Sequence, residues 1–156
     1  MSTLGTTTGP GTKWSGPLIS GTKKDADNNG PANTGLAVLS QTATLTQNGA
    51  NDVSHQFVIP AGSQILDIIE DTTVAWNAGT SAGLTVGLTA GGTDYAISES
   101  VETAGRVRPA FTGVQLAAME NVGTNTSVYA TVTPVGTAAT AGSTTVTLVY
   151  IQTVQG

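Results

Sequence analysis

Val53-Ser54-His55-Gln56-Phe57-Val58-Ile59-Pro60-Ala61-Gly62-Ser63-Gln64-Ile65-Leu66-Asp67-Ile68-Ile69 is the stretch that decides the fold. Val53, His55, Phe57 and Ile59 alternate with smaller or polar residues, the two-residue period of a half-buried strand. Pro60-Ala61-Gly62 ends it, because proline has no N–H to donate and glycine accepts turn geometry. Ile65 to Ile69 is apolar on both faces, which predicts a central strand running on toward Val74 and Trp76. No βαβ alternation appears around it, so the reading is all-β.

The same period extends in both directions. Ala37, Leu39, Ala43 and Leu45 share one face of an earlier strand, with Thr42, Thr44 and Thr46 on the other. Leu84, Val86 and Leu88 mark a strand broken by Ala90-Gly91-Gly92. Tyr95 and Ile97 predict a short strand, and Arg106-Val107-Arg108 another, ended by Pro109. Val128, Ala130 and Val132 form the next, and Val146 to Ile151 the last. One helix interrupts the series. Thr112 and Gln115 have capping-box spacing, Phe111 and Leu116 stand at the staple positions, and Leu116 to Met119 continues before Gly123 stops it. About eight short strands with Gly, Pro and Asn turns predict a single β-sandwich or jelly-roll-like domain with one short connecting helix.

Composition agrees. The chain has 156 residues, 20 of them glycine, and only 10% are charged. Few Lys and Glu with many Thr and Val favour strand over helix. So little charge leaves few devices against edge-to-edge pairing, a surface suited to assemblies that cover it.

Charge is distributed unevenly. Lys13, Lys23 and Lys24 lie in the first 24 residues, which contain no acid. From Asp25 onward ten acids face only Arg106 and Arg108. Residues 1–35 hold seven glycines and three of the six prolines, without a hydrophobic period. They read as an extended basic arm on an acidic body spanning 36–156, and such arms order on partners. Trp14 beside Lys13 is a candidate interface anchor, since Trp is enriched among residues that dominate binding. The expected partner-contacting residues are therefore Lys13, Trp14, Lys23, Lys24, Arg106 and Arg108. The two arginines share one face of a strand and have acids nearby with which to pair.

Several chemistries find little support. There is no cysteine for disulfides or thiolate metal sites. The start of the chain shows no basic-then-apolar signal, and no run is long enough to span a bilayer. Synthesis in a cytoplasm is expected. The single histidine, His55, reads as a partly buried strand residue, with no nucleophile elbow to accompany it. Asp67, Glu70 and Asp71 read as the solvent face and end of a strand, and Asp94, Glu99 and Glu102 as surface charge. Asp25-Ala26-Asp27-Asn28-Asn29-Gly30 matches the opening of a calcium loop, but position twelve is Leu36 where a bidentate Glu is needed. No enzyme, cofactor, metal, membrane or nucleic-acid role is expected; five positive charges against ten negative make a poor footprint for nucleic acid.

Three stretches resemble small structural proteins of tailed bacteriophage virions. They are Phe57 to Ile68, Ala104-Gly105-Arg106-Val107-Arg108-Pro109 and the helix from Phe111 to Met119, with Gly123-Thr124-Asn125-Thr126 beside them. They are packing and turn motifs, and the arm has no counterpart. Such proteins are often capsid decoration, or cement, proteins. The resemblance implies a β-domain, commonly a trimer, on the outer capsid surface at junctions between major capsid proteins, with an N-terminal arm along the shell. Head-fibre, neck and tail components remain alternatives, as does a carbohydrate-binding adhesin domain that would use exposed aromatics such as Trp76.

Overall fold

The computed structural model describes residues 36–120 and 123–153. Among them the chain forms eight strands and one helix. In order these are β1 (Leu36–Thr46), β2 (Val53–Ile59), β3 (Ser63–Val74), β4 (Ser81–Gly87), β5 (Ala96–Ser100), β6 (Gly105–Val107), α1 (Gly113–Met119), β7 (Thr126–Val135) and β8 (Ser143–Thr153). They make two four-stranded sheets, β1-β8-β3-β6 and β2-β7-β4-β5. The chain is an all-β sandwich, as the alternation predicts.

Strand order follows one rule. β1 lies beside β8, β2 beside β7, β3 beside β6 and β4 beside β5. The first four strands therefore run out and the last four return along them, and the doubled ribbon is rolled so that its turns build both sheets. The β2–β3 turn shows how the roll begins. The Ser63 N–H donates to the Pro60 carbonyl at 3.2 Å, and Gly62 supplies the positive φ of 73°. A turn of that form needs glycine at its third residue. It carries the chain from one sheet to the other, and Asn125 Oδ1 accepts the Ala61 N–H at 2.9 Å to hold it there.

The core lies between the sheets. Phe57 and Ile59 of β2, Leu84 and Val86 of β4, and Val128, Ala130 and Val132 of β7 meet Ile65 and Ile68 of β3 and Val146 and Leu148 of β8. Every one is at most 2% exposed. Each large apolar side chain so buried contributes roughly 1.5–3 kcal/mol of transfer free energy. Register aligns the rows, with Phe57 opposite Val128 and Leu84 opposite Val132.

Four local expectations need correction. Ile65 and Ile68 are both buried while Leu66 is 45% exposed, so the alternation of β3 slips by one residue at Leu66-Asp67. β3 is interior to its sheet but not apolar on both faces. β4 ends at Gly87, and Leu88 is 46% exposed. There the loop folds back: Asp94 Oδ2 accepts the Leu88 N–H at 2.8 Å, and a side chain at Gly87 would strike Gly92. His55 is exposed, because β2 is an edge strand; its ring packs edge-on against Phe57 with centroids 4.9 Å apart. Glu70 is not on the solvent face but buried, 1% exposed.

The helix begins where its capping box places it. Thr112 Oγ1 accepts the Gln115 N–H at 3.3 Å, and Gln115 Oε1 accepts the Thr112 N–H at 2.8 Å. Gln115 and Met119 face inward, Phe111 packs on the core, and Leu116 is 52% exposed. No helix among the described residues is long and apolar enough to cross a membrane.

Candidate functional site

From Asp67 onward the outward row of β3 carries Asp67, Ile69, Asp71 and Thr73. β6 pairs with it in antiparallel register, Asp71 directly opposite Arg106. The guanidinium of Arg106 donates from Nη2 to Asp71 Oδ2 at 3.1 Å. Just past the end of β6, Arg108 places Nε 3.1 Å from Asp67 Oδ2. Asp67 also accepts the Ile68 N–H through Oδ1 at 2.9 Å, so both of its carboxylate oxygens have partners. The two arginines thus do what nearby acids invite: both are in ion pairs.

Both pairs stand in solvent. The arginine side chains are 70% exposed, so each pair is worth roughly 0.2–1 kcal/mol to the fold. Stability is therefore a weak reason for them. A guanidinium has five N–H donors, and each of these commits few to its partner. Leu66, next in the chain to Asp67, is 45% exposed. Asp67, Asp71, Arg106 and Arg108 thus form a charge-balanced, partly exposed strip along β3 and β6.

Lys13, Trp14, Lys23 and Lys24 lie outside the described residues, as does the calcium-loop match at 25–30. Arg106 and Arg108 are the expected contact residues that the structure places, and it puts them side by side.

The carboxylates divide between two faces. Asp67 and Asp71 point outward to their arginines, while Glu70 points between the sheets, so the three cannot converge on one bond. Thr72 donates to Glu70 Oε1 at 3.2 Å, and Oε2 has no hydrogen-bond partner among the described residues. Burial pushes this carboxyl above its ordinary value of 4.5, the Thr72 hydrogen bond lowers it, and the charge of Glu99 raises it further. The period-two rule applied from Ile68 finds this group: Ile68, Glu70 and Thr72 form one inward row. Charge alone hid it.

Aromatic residues are mostly inside. Trp76, Tyr95 and Phe57 are each 2% exposed and Tyr150 6%. Trp76 is a core residue and not an exposed ring, so Trp76→Ala would read folding, not sugar binding.

By architecture the described residues form an all-β sandwich of two four-stranded sheets. No protein-family model matches the chain, and no curated protein does. Solved structures do. The fold is similar to that of a chain in the capsid of Ralstonia phage GP4, with a TM-score of 0.54 and 18% identity over 80% of this chain and 90% of that one. It is also similar to a chain of the cyanophage Pam1 capsid asymmetric unit, with a TM-score of 0.50 and 22% identity over 86% of this chain and 99% of that one. At these identities the likeness is one of fold.

Proposed function

We propose that this protein is a structural component of a tailed-phage virion, and specifically a capsid decoration protein that binds and stabilises the outer shell. The observation that carries the reading is the fold it shares with chains of two phage capsids, which covers 90% and 99% of those chains. The strand order supports it as well. Sheets ordered 1-8-3-6 and 2-7-4-5 fit the jelly-roll reading, an architecture found in viral capsid domains.

The work is attachment. The partner is the major capsid protein, and the body is a homo-oligomer, with a trimer favoured by the family resemblance. Each specific interface needs about 800 Å² per partner. Arg106 and Arg108 offer oriented donors on the outer face of β6. Residues 1–35 supply Lys13, Trp14, Lys23 and Lys24 as the arm that crosses the shell. Three such arms on one trimer bind multivalently, so modest single contacts add to stable attachment. Synthesis in the host cytoplasm and assembly there need no disulfide.

Co-sedimentation with mature heads that lack the protein tests this. Saturable binding by the full-length chain, at a fixed copy number per shell subunit, is expected. A chain of residues 36–156 that keeps its β-sheet circular dichroism is expected to stay in the supernatant. Equal saturation by that truncated body would remove the arm from the account, and no binding by either would remove the shell.

A further inference from the structure

Glu70 sits at the end of a directed hydrogen-bond chain. The Trp76 indole can only donate, and it does so to Thr144 Oγ1 at 2.9 Å. Thr72 has one hydroxyl hydrogen, given to Glu70 Oε1. The 2.9 Å bond between Thr72 and Thr144 must then be donated by Thr144. Every hydrogen in the chain points toward Oε1, and Oε2 receives none. One hydrogen bond is too few for an ionised carboxylate with 1% exposure, which ordinarily takes two or three donors or a cation.

Among the described residues the surroundings of Glu70 supply no cation. Glu99 of β5 lies directly opposite the fully buried Leu84, so its side chain shares the inward face. Val107 of β6 lies directly opposite Glu70, while Arg106 and Arg108 turn outward to Asp71 and Asp67. β8 contributes Thr144, Val146 and Leu148, β4 contributes Leu84 and Val86, and Trp76 adds its ring. The helix turns Gln115 and Met119 inward, with Glu120 at its C-cap. Among the described residues Glu99 is the charge that acts on Glu70, and it is of like sign.

We propose that Glu70 is a proton-controlled latch: protonated, it lies neutral between the sheets and keeps the β5/β6 edge closed, and deprotonated, it opposes Glu99 and loosens that edge. β6 is three residues long with all three exposed, and β5 has five residues, so opening there breaks the least structure. The sign is fixed by linkage. A carboxyl raised above its unfolded value binds more protons in the folded state, so stability falls as pH rises. The loss begins above the unfolded value near 4.5 and is complete above the folded value. It is the reverse of ordinary acid denaturation. A virion protein with this device holds its body closed in mild acid and loosens it on the alkaline side.

Thermal unfolding and amide exchange of the full chain between pH 5 and pH 8.5 test the latch, with His55→Asn as a control. Tyr95, pushed by burial above its ordinary value of 10, keeps its proton across this range. The wild-type midpoint is expected to fall by several degrees with rising pH. Amides of Ala96–Ser100 and Gly105–Val107 should exchange faster at pH 8.5 than in Glu70→Gln at the same pH. Glu70→Gln should remove the fall and raise the midpoint at pH 8.5, and Glu99→Gln should reduce it. An unchanged pH profile in Glu70→Gln, or a variant less stable at every pH, overturns the proposal. If that variant does not fold, Glu99→Gln with the wild-type slope overturns it, as does a Glu70 carboxyl carbon that titrates at or below 4.5 by NMR.

Discussion

The Trp76 indole N–H donates to the hydroxyl of Thr144, 2.9 Å away and 68 positions on in the chain. That bond joins the segment just past β3 to the start of β8 and satisfies a buried donor. Thr144→Val keeps the shape and deletes the acceptor. The indole N–H and the Thr72 hydroxyl each lose a partner, and an orphaned buried donor costs about 1–3 kcal/mol. Urea unfolding should show a lower midpoint with an unchanged slope.

Two glycines should respond with opposite signs. Gly142 has φ 152°, and a Cβ there would stand 2.5 Å from Cδ2 of Trp76. Gly142→Ala must displace the largest buried ring, so a loss of at least about 2 kcal/mol is expected. Gly113 opens the helix with nothing within 4 Å of the position a Cβ would take. Gly113→Ala removes backbone freedom from the unfolded chain and should stabilise by about 0.4–1 kcal/mol. Differential scanning calorimetry of the pair checks both signs in one experiment.

The capping box at Thr112 and Gln115 should report locally. Thr112→Ala deletes the acceptor for the Gln115 N–H and is expected to cost about 1 kcal/mol. Faster amide exchange should be confined to the helix, while the sheets keep their protection.

Arg106 and Arg108 separate stability from attachment. Each exposed pair contributes at most about 1 kcal/mol, so Arg106→Ala with Arg108→Ala should leave the thermal midpoint within a few degrees of wild type. If the strip contacts the shell, the same double variant should dissociate from heads faster, read by sedimentation after dilution.

Much of the fold could be read from residues that act on their neighbours. The alternation in β2 and the box at Thr112 and Gln115 each need only a short window, and both elements stand where those windows put them. The roll could not be read, because its pairings are remote: Ser54 bonds Thr131 across 77 positions, and a two-residue period names a face but not a partner. Leu88 looked like strand for the same reason. Its exposure follows from Asp94 and Gly92, which close a loop over the end of β4.

The candidate site divides in the same way. Arg106 and Arg108 were legible because two cations two positions apart on a strand share a face; that their partners would be Asp71 and Asp67 was not, because β3 lies 35 positions or more back in the chain. Glu70 was misread because its charge outweighed its place in the inward row. Its neighbour Glu99 comes from β5, a strand whose approach depends on the whole roll.

The most direct test of the central claim is a pair of electron cryo-microscopy maps of the phage head, from particles made with and without this protein. The account predicts that the difference density contains the rolled two-sheet body, repeated on the outer shell at junctions between major capsid subunits. Identical shells, or a difference confined to the tail or a fibre, would contradict it.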